Sequence, residues 1–97
     1  MARDLSPASV LNGLEALLDW CDRDPTILSK EVMNDLEEGW GVNISFRSAD
    51  GSLKWLFATP PARSRRETME EYRERTVDIA ISRRTRLKEP KGARARR

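Results

Sequence analysis

The sequence of 97 residues predicts a mixed α+β fold in which helices and a β-hairpin occupy separate segments. Apolar residues recur at helical spacing in residues 7–21 and 25–38, and then alternate with polar residues in 42–47 and 52–58. A charged segment follows a pair of prolines. These observations predict two N-terminal helices, an antiparallel β-hairpin, and a long charged C-terminal helix with a basic tail.

The first helix is predicted over residues 7–21. Ser6 is a favourable N-cap, and Pro7 suits the first helical position. One helical face then carries the apolar residues Val10, Leu11, Leu14, Leu17, Leu18 and Cys21. Cys21 therefore has the pattern of a small core residue rather than a reactive thiol.

The second helix is predicted over residues 25–38. Asp24 and Pro25 repeat the start signal of the first helix. Apolar side chains recur every four residues at Leu28, Val32, Leu36 and Trp40, and Gly39 supplies a stop. The short connection predicts that the two helices pack antiparallel.

The hairpin is predicted to pair residues 42–47 with 52–58 through a turn at 48–51. One face would carry Val42, Ile44, Phe46, Leu53, Trp55 and Phe57. Since an isolated hairpin is marginal in water, we expect this face to pack on the helices. Trp40 and Trp55 are accordingly expected in the core.

The third helix is predicted to begin at Arg65 and to end near residue 87. Ser64 and Glu67 match a capping box at its start. Residues 76–82 also alternate as a strand would, so a third strand there is the alternative. Residues 1–88 are predicted to form a single small domain and residues 89–97 a basic tail.

The composition favours binding over catalysis. The sequence has no histidine and one cysteine, which removes the usual general base and the usual metal ligands, and we expect no enzyme activity and no cofactor. Asp19, Asp22 and Asp24 cluster, but their spacing matches no calcium loop. With no apolar run of membrane-spanning length and no signal peptide, we expect a cytoplasmic protein with no membrane partner.

The charge is distributed unevenly along the chain. Residues 1–59 hold five basic and ten acidic side chains, whereas residues 60–97 hold thirteen basic and six acidic ones. The net charge of +2 therefore combines an acidic body with a basic end. Such an end can neutralise phosphates. The sequence thus predicts a small regulatory or architectural protein that contacts nucleic acid or another polyanion through Arg83, Arg84, Arg86, Lys88, Arg94, Arg96 and Arg97.

The element order resembles that of a winged helix, with residues 25–38 as the recognition helix and 42–58 as the wing. This resemblance implies DNA recognition in the major groove. The helix would present Lys30, Glu31, Asn34, Asp35, Glu37 and Glu38, which are net negative, and DNA would repel them.

The alternative function is an oligomeric protein–protein interaction module, such as an inhibitor, an adaptor or a particle-assembly component. A short chain has few ways to cover every large apolar side chain. Tryptophan, tyrosine and methionine are frequent in interface cores. The predicted anchors are Trp20, Leu56, Met69 and Tyr72, and the acidic body of one copy could meet the basic helix of another.

Overall fold

A computed structural model describes residues 6–88, which form two helices and three strands. The three strands pair in the order β1-β2-β3, all antiparallel, and both helices pack on one face of this sheet. The mixed α+β class is confirmed, whereas the predicted basic tail lies outside the described residues. The elements are α1 (Pro7–Arg23), β1 (Ile27–Asp35), β2 (Gly39–Arg47), β3 (Leu53–Ala58) and α2 (Met69–Lys88).

Helix α1 follows the predicted start and apolar face. The Ser6 hydroxyl accepts a hydrogen bond from the Ser9 amide at 3.3 Å, and Pro7 occupies the first turn. Burial of the Leu14 and Leu17 side chains places α1 against β2.

The predicted helix over residues 25–38 is wrong: these residues form strand β1 and the turn into β2. A spacing of four residues suits a helical face, but four is also a multiple of two, so the same spacing suits one face of a strand. Asp35 closes the turn by accepting hydrogen bonds from the amides of Glu37 and Glu38, both at 2.9 Å. Gly39 has a φ of 83°, so it serves the hairpin turn instead of a helix end. The implied winged-helix arrangement is therefore also wrong.

The predicted pairing of β2 with β3 is confirmed, but the predicted face of β3 is wrong. Arg47 pairs with Leu53 across a loop of five residues, 48–52. The predicted four-residue turn differs by one residue, and such a shift turns every side chain of a strand to the opposite face. Ile44 consequently pairs with Leu56, and both are buried.

Helix α2 begins later than predicted, at Met69 instead of Arg65. Its capping box is Thr68 and Glu71, in which each side chain accepts the other residue's amide hydrogen at 2.9–3.0 Å. The Ser64–Glu67 box closes a turn before the helix, through the Ser64 amide and the Glu67 carboxylate at 3.1 Å. The strand alternative at residues 76–82 is wrong, since these residues are helical. The buried face of α2 is the four-residue series Tyr72, Thr76, Ala80 and Arg84.

The two helices run in the same direction. Arg73, near the start of α2, contacts Glu15 of α1, whereas Arg84, near its end, contacts Asp24 just after α1. The last turn of α2 therefore lies where α1 ends and β1 begins. The β1–β2 turn lies at the other end of the sheet, near the first turn of α1.

Candidate functional site

Arg84, predicted to bind phosphate, is buried and paired within the chain. Its Nη1 donates to the Asp24 carboxylate at 2.8 Å, and its Nη2 donates to the Thr26 hydroxyl. The guanidinium also lies over the Phe46 ring, 4.6 Å from the ring centroid. This arginine joins α2 to the α1–β1 connection and is not presented to a phosphate.

The Asp24 carboxylate is held ionised by its neighbours. A hydrogen bond from the Thr26 hydroxyl is the largest cause of a lowered pKa at Asp24, and the Thr26 amide and Arg84 lower it further. Partial burial acts in the opposite direction. Asp24 therefore has two roles: it closes the turn between α1 and β1, and it neutralises the buried Arg84.

The other predicted basic residues are divided between the fold and solvent. Arg83 donates from Nη1 to the Phe57 carbonyl at 2.8 Å, at the outer edge of β3. Arg86 is exposed, and it makes no ion pair with another residue of the described range 6–88. The backbone of Lys88 ends α2, and Arg94, Arg96 and Arg97 lie outside the described residues.

The three clustered aspartates each face a different cation. Asp19 pairs with Arg73 at 3.3 Å, Asp22 with Lys30 at 2.6 Å, and Asp24 with Arg84. Within residues 6–88 no group of three side chains is arranged to hold a metal ion. These carboxylates bridge elements of the fold.

The predicted interface anchors are mostly part of the core. Trp20, Leu56 and Tyr72 are buried, and Met69 is half-buried. The premise that the short chain leaves the first three uncovered is wrong, because α1, α2 and β3 pack against each other around them. Tyr72 also donates its hydroxyl to the Pro61 carbonyl at 2.8 Å.

Cys21 is buried between α1 and the sheet, as its position on the apolar face predicts. Burial raises the pKa of its thiol from 9.0 to about 11. The thiol is therefore neutral at physiological pH, which suits a core residue.

The most exposed large apolar side chain of residues 6–88, Leu36, lies on an extension of the β1–β2 hairpin, which we call the hairpin arm (residues 31–40). The last pair between β2 and β3 is Val42 with Ala58, so the arm extends past the end of β3. All residues of the arm are exposed except Gly39, which is half-buried. Leu36 at the tip is fully exposed, and half of the Trp40 surface is exposed. The expected burial of Trp40 is therefore wrong.

An apolar groove lies between the arm and α1. Val32 and Trp40 line one side, and Val10, Leu11 and Leu14 line the other. The groove has a volume of about 540 Å³, which is large enough for several apolar side chains.

The opposite face of the sheet, which we call the open face, also carries uncovered apolar residues. Leu53 and Trp55 are about half exposed, and Phe57 is half-buried over Gly41. A Cβ at Gly41 would lie 2.6 Å from the Ala58 carbonyl oxygen and 2.7 Å from Cζ of Phe57, so glycine allows β3 and this ring to approach β2 closely. The expected burial of Trp55 is wrong because β3 presents it to this face.

The rim of the open face at the arm is acidic. Asp35, Glu37 and Glu38 border a shallow pocket whose apolar walls are Met33 and Phe57. The arm holds four acidic residues and no lysine or arginine. The amides of Glu38 and Glu37 lower the pKa of Asp35, so this carboxylate stays ionised.

Sequence reasoning missed the arm because the signals of its turn were assigned to a helix end. The segment Asp35-Leu36-Glu37-Glu38-Gly39 places an Asx-type acceptor and a glycine four residues apart, which is also typical of a hairpin turn. Had residues 35–39 been assigned to a hairpin turn, Leu36 and Trp40 would have been predicted at an exposed tip.

Within residues 6–88 the structure contains no helix of the length and apolar character needed to cross a lipid bilayer. Comparison with protein-family models, with curated proteins and with solved structures finds no match for this chain.

Proposed function

We propose that this chain is a non-catalytic protein-binding module whose contact surface is the hairpin arm together with the adjoining open face. The observation that carries the proposal is the uncovered arm itself, with Val32, Met33, Leu36 and Trp40 all partly or fully exposed. Exposed apolar residues beside a polar rim are typical of interaction sites. The partner we expect presents apolar side chains beside basic ones, because the arm has a formal charge of −4 from Glu31, Asp35, Glu37 and Glu38.

Polyanion binding by the C-terminal segment is the second candidate. Exposure of Arg86 and the basic composition of residues 88–97 support it. The internal contacts of Arg83 and Arg84 weigh against it, since they remove two of the predicted phosphate ligands.

Site-specific photo-crosslinking tests the proposal. A photoreactive amino acid replaces Leu36 at the arm tip in the full chain, and the same group in place of the exposed Glu74 on α2 serves as the matched control. We expect nuclease-resistant crosslinks to protein from position 36 and few from position 74. The crosslinked peptide, identified by mass spectrometry, should carry net positive charge.

Filter retention of duplex DNA and single-stranded RNA at low and moderate salt provides the opposing result. Equal crosslinking at both positions, with retention of nucleic acid that falls steeply with salt, would contradict the protein-binding proposal and favour the polyanion candidate.

A further inference from the structure

The open face is an unpartnered side of the sheet. Both helices cover the side that carries Val42 and Ile44, and no element within residues 6–88 covers Leu53, Trp55 or Met33 on the other side. A three-stranded sheet with apolar side chains on its second face is usually covered by another segment. The identity of that segment follows from charge and position.

Charge excludes pairing of one arm with the arm of a second copy. Each arm carries four acidic residues and no basic ones, so two arms in contact would repel. The Phe57 ring beside these acids, and the Trp55 ring further along the same face, favour arginine in particular. A guanidinium can stack on an aromatic face while it donates hydrogen bonds to a carboxylate.

The chain itself contains a segment with this chemistry. Residues 86–97 hold six basic side chains, of which four are arginines among the predicted phosphate ligands, and one acid. The segment is also long enough to extend along a strand of the open face. Fully extended, residues 89–97 span about 30 Å, which equals the length of a nine-residue strand such as β1.

The arginine-rich segment begins at the end of α2, which lies at the opposite end of the sheet from the arm tip of the same molecule. Arg84 contacts Thr26, at the start of β1, and α2 continues about 6 Å beyond Arg84 in the opposite direction from β1. The tip near Asp35 lies roughly 30 Å along β1 from Thr26. Residues 89–97 would need to cross about 36 Å, so a second copy meets the requirement more easily.

We propose that the arginine-rich segment of one copy, residues 86–97, docks on the open face and acidic arm of a second copy. This inference rests on the proposed protein-binding function and names its partner as another molecule of the same chain. The contact joins different surfaces of the two copies, so it is heterologous and extends into a ring or a chain of copies.

A charge-swap experiment tests the inference on the full chain. The arm variant is Glu37→Lys with Glu38→Lys, and the C-terminal variant is Arg94→Glu, Arg96→Glu and Arg97→Glu. Only the backbone amides of Glu37 and Glu38 take part in the turn, so their side chains can be changed without loss of its hydrogen bonds. Matched controls with similar charge changes elsewhere are Glu70→Lys with Glu74→Lys, and Arg65→Glu with Arg66→Glu.

The measurement is the weight-average mass by sedimentation, which is compared with the mass of one copy, 11.1 kDa. At low salt we expect the mass of the wild type and of both controls to rise with protein concentration beyond two copies, and to fall toward one copy at high salt. Each swap variant should associate about tenfold more weakly or worse. An equimolar mixture of the two variants should form one-to-one complexes, because the unchanged arm of the C-terminal variant then meets the unchanged arginine-rich segment of the arm variant.

Three results would overturn the inference: a wild type that stays monomeric at low salt, a swap variant that associates as the wild type does, or a mixture that forms no one-to-one complexes. The proposed function has a separate outcome. Crosslinks from position 36 to a basic segment of a different protein would retain the arm as a binding surface and remove only the second copy as its occupant.

Discussion

The ion pair between Arg84 and Asp24 is buried, and removing one partner should lower the free energy of unfolding more than removing the other. The Arg84 side chain is 8% exposed and the Asp24 side chain 25% exposed. Asp24→Asn leaves a guanidinium in the core with the Thr26 hydroxyl as its main partner, and its Nε already has no acceptor. An unpaired buried charge costs about 3–5 kcal/mol, and we expect about 3 kcal/mol here because Thr26 still accepts.

Arg84→Met should cost less, about 1 kcal/mol. Methionine keeps an unbranched side chain over the Phe46 ring, and the Asp24 carboxylate can be hydrated and still accepts from Thr26. The double variant, Asp24→Asn with Arg84→Met, should be more stable than Asp24→Asn alone, because it leaves no buried charge.

Urea unfolding followed by far-ultraviolet circular dichroism at pH 7 measures these differences. With a slope of about 1.5 kcal/mol/M, a loss of about 3 kcal/mol lowers the midpoint by roughly 2 M. An Arg84→Met midpoint at or below that of Asp24→Asn would refute the reasoning, because it would mean that the pair is stabilised by packing of the arginine rather than by relief of its charge.

Three further predictions concern the core and the loop before α2. Gly13→Ala places a Cβ 2.6 Å from the Pro60 ring, so overpacking of about 1–3 kcal/mol should outweigh the gain of about 1 kcal/mol in helix propensity, and the thermal midpoint should fall. At pH 8 the native Cys21 thiol should be alkylated at least roughly 100-fold more slowly than in urea, since a pKa of about 11 leaves far less thiolate than 9.0 does; equal rates would contradict the burial. Arg75 lowers the pKa of Glu67 from 4.5 to about 2, so stability from this pair is present above pH 4.5 and is lost as the pH falls toward 2. Urea midpoints measured across that range should decline less steeply in Glu67→Gln.

Helix α1 and the β2–β3 pairing could be predicted because their signals agree at every level. Ser6 and Pro7 mark the same start that the apolar face requires. Val42, Ile44 and Phe46 alternate without interruption, and all three are buried. In these segments local preference and tertiary packing favour the same structure.

Strand β1 could not be predicted because pairing, not periodicity, decides its structure. Its residues are almost all exposed, so the apolar side chains at four-residue spacing do not form a buried helical face. Eight residues of β1 pair with β2, so the hydrogen bonds of this ladder depend on the neighbouring strand and not on residues within the segment itself. The irregular step between Ile27 and Ser29 further obscures the alternation.

The residues of the candidate surface could not be predicted, because their exposure depends on the length of one loop and on the partners of individual side chains. One residue more in the 48–52 loop than expected placed Trp55 outside and Leu56 inside. The basic residues were identified as a group from composition, but which of them serve the fold required the positions of Asp24 and of the Phe57 carbonyl.

The parallel course of the two helices has a consequence for how this molecule meets others. With the acidic arm at one end of the fold and the exposed Arg86, in the last turn of α2, near the other end, charge is distributed lengthwise as an electric dipole. An approaching charged body would rotate the protein before any side chain touches it. Ionic strength would then govern how often collisions are productive, apart from how long each complex lasts.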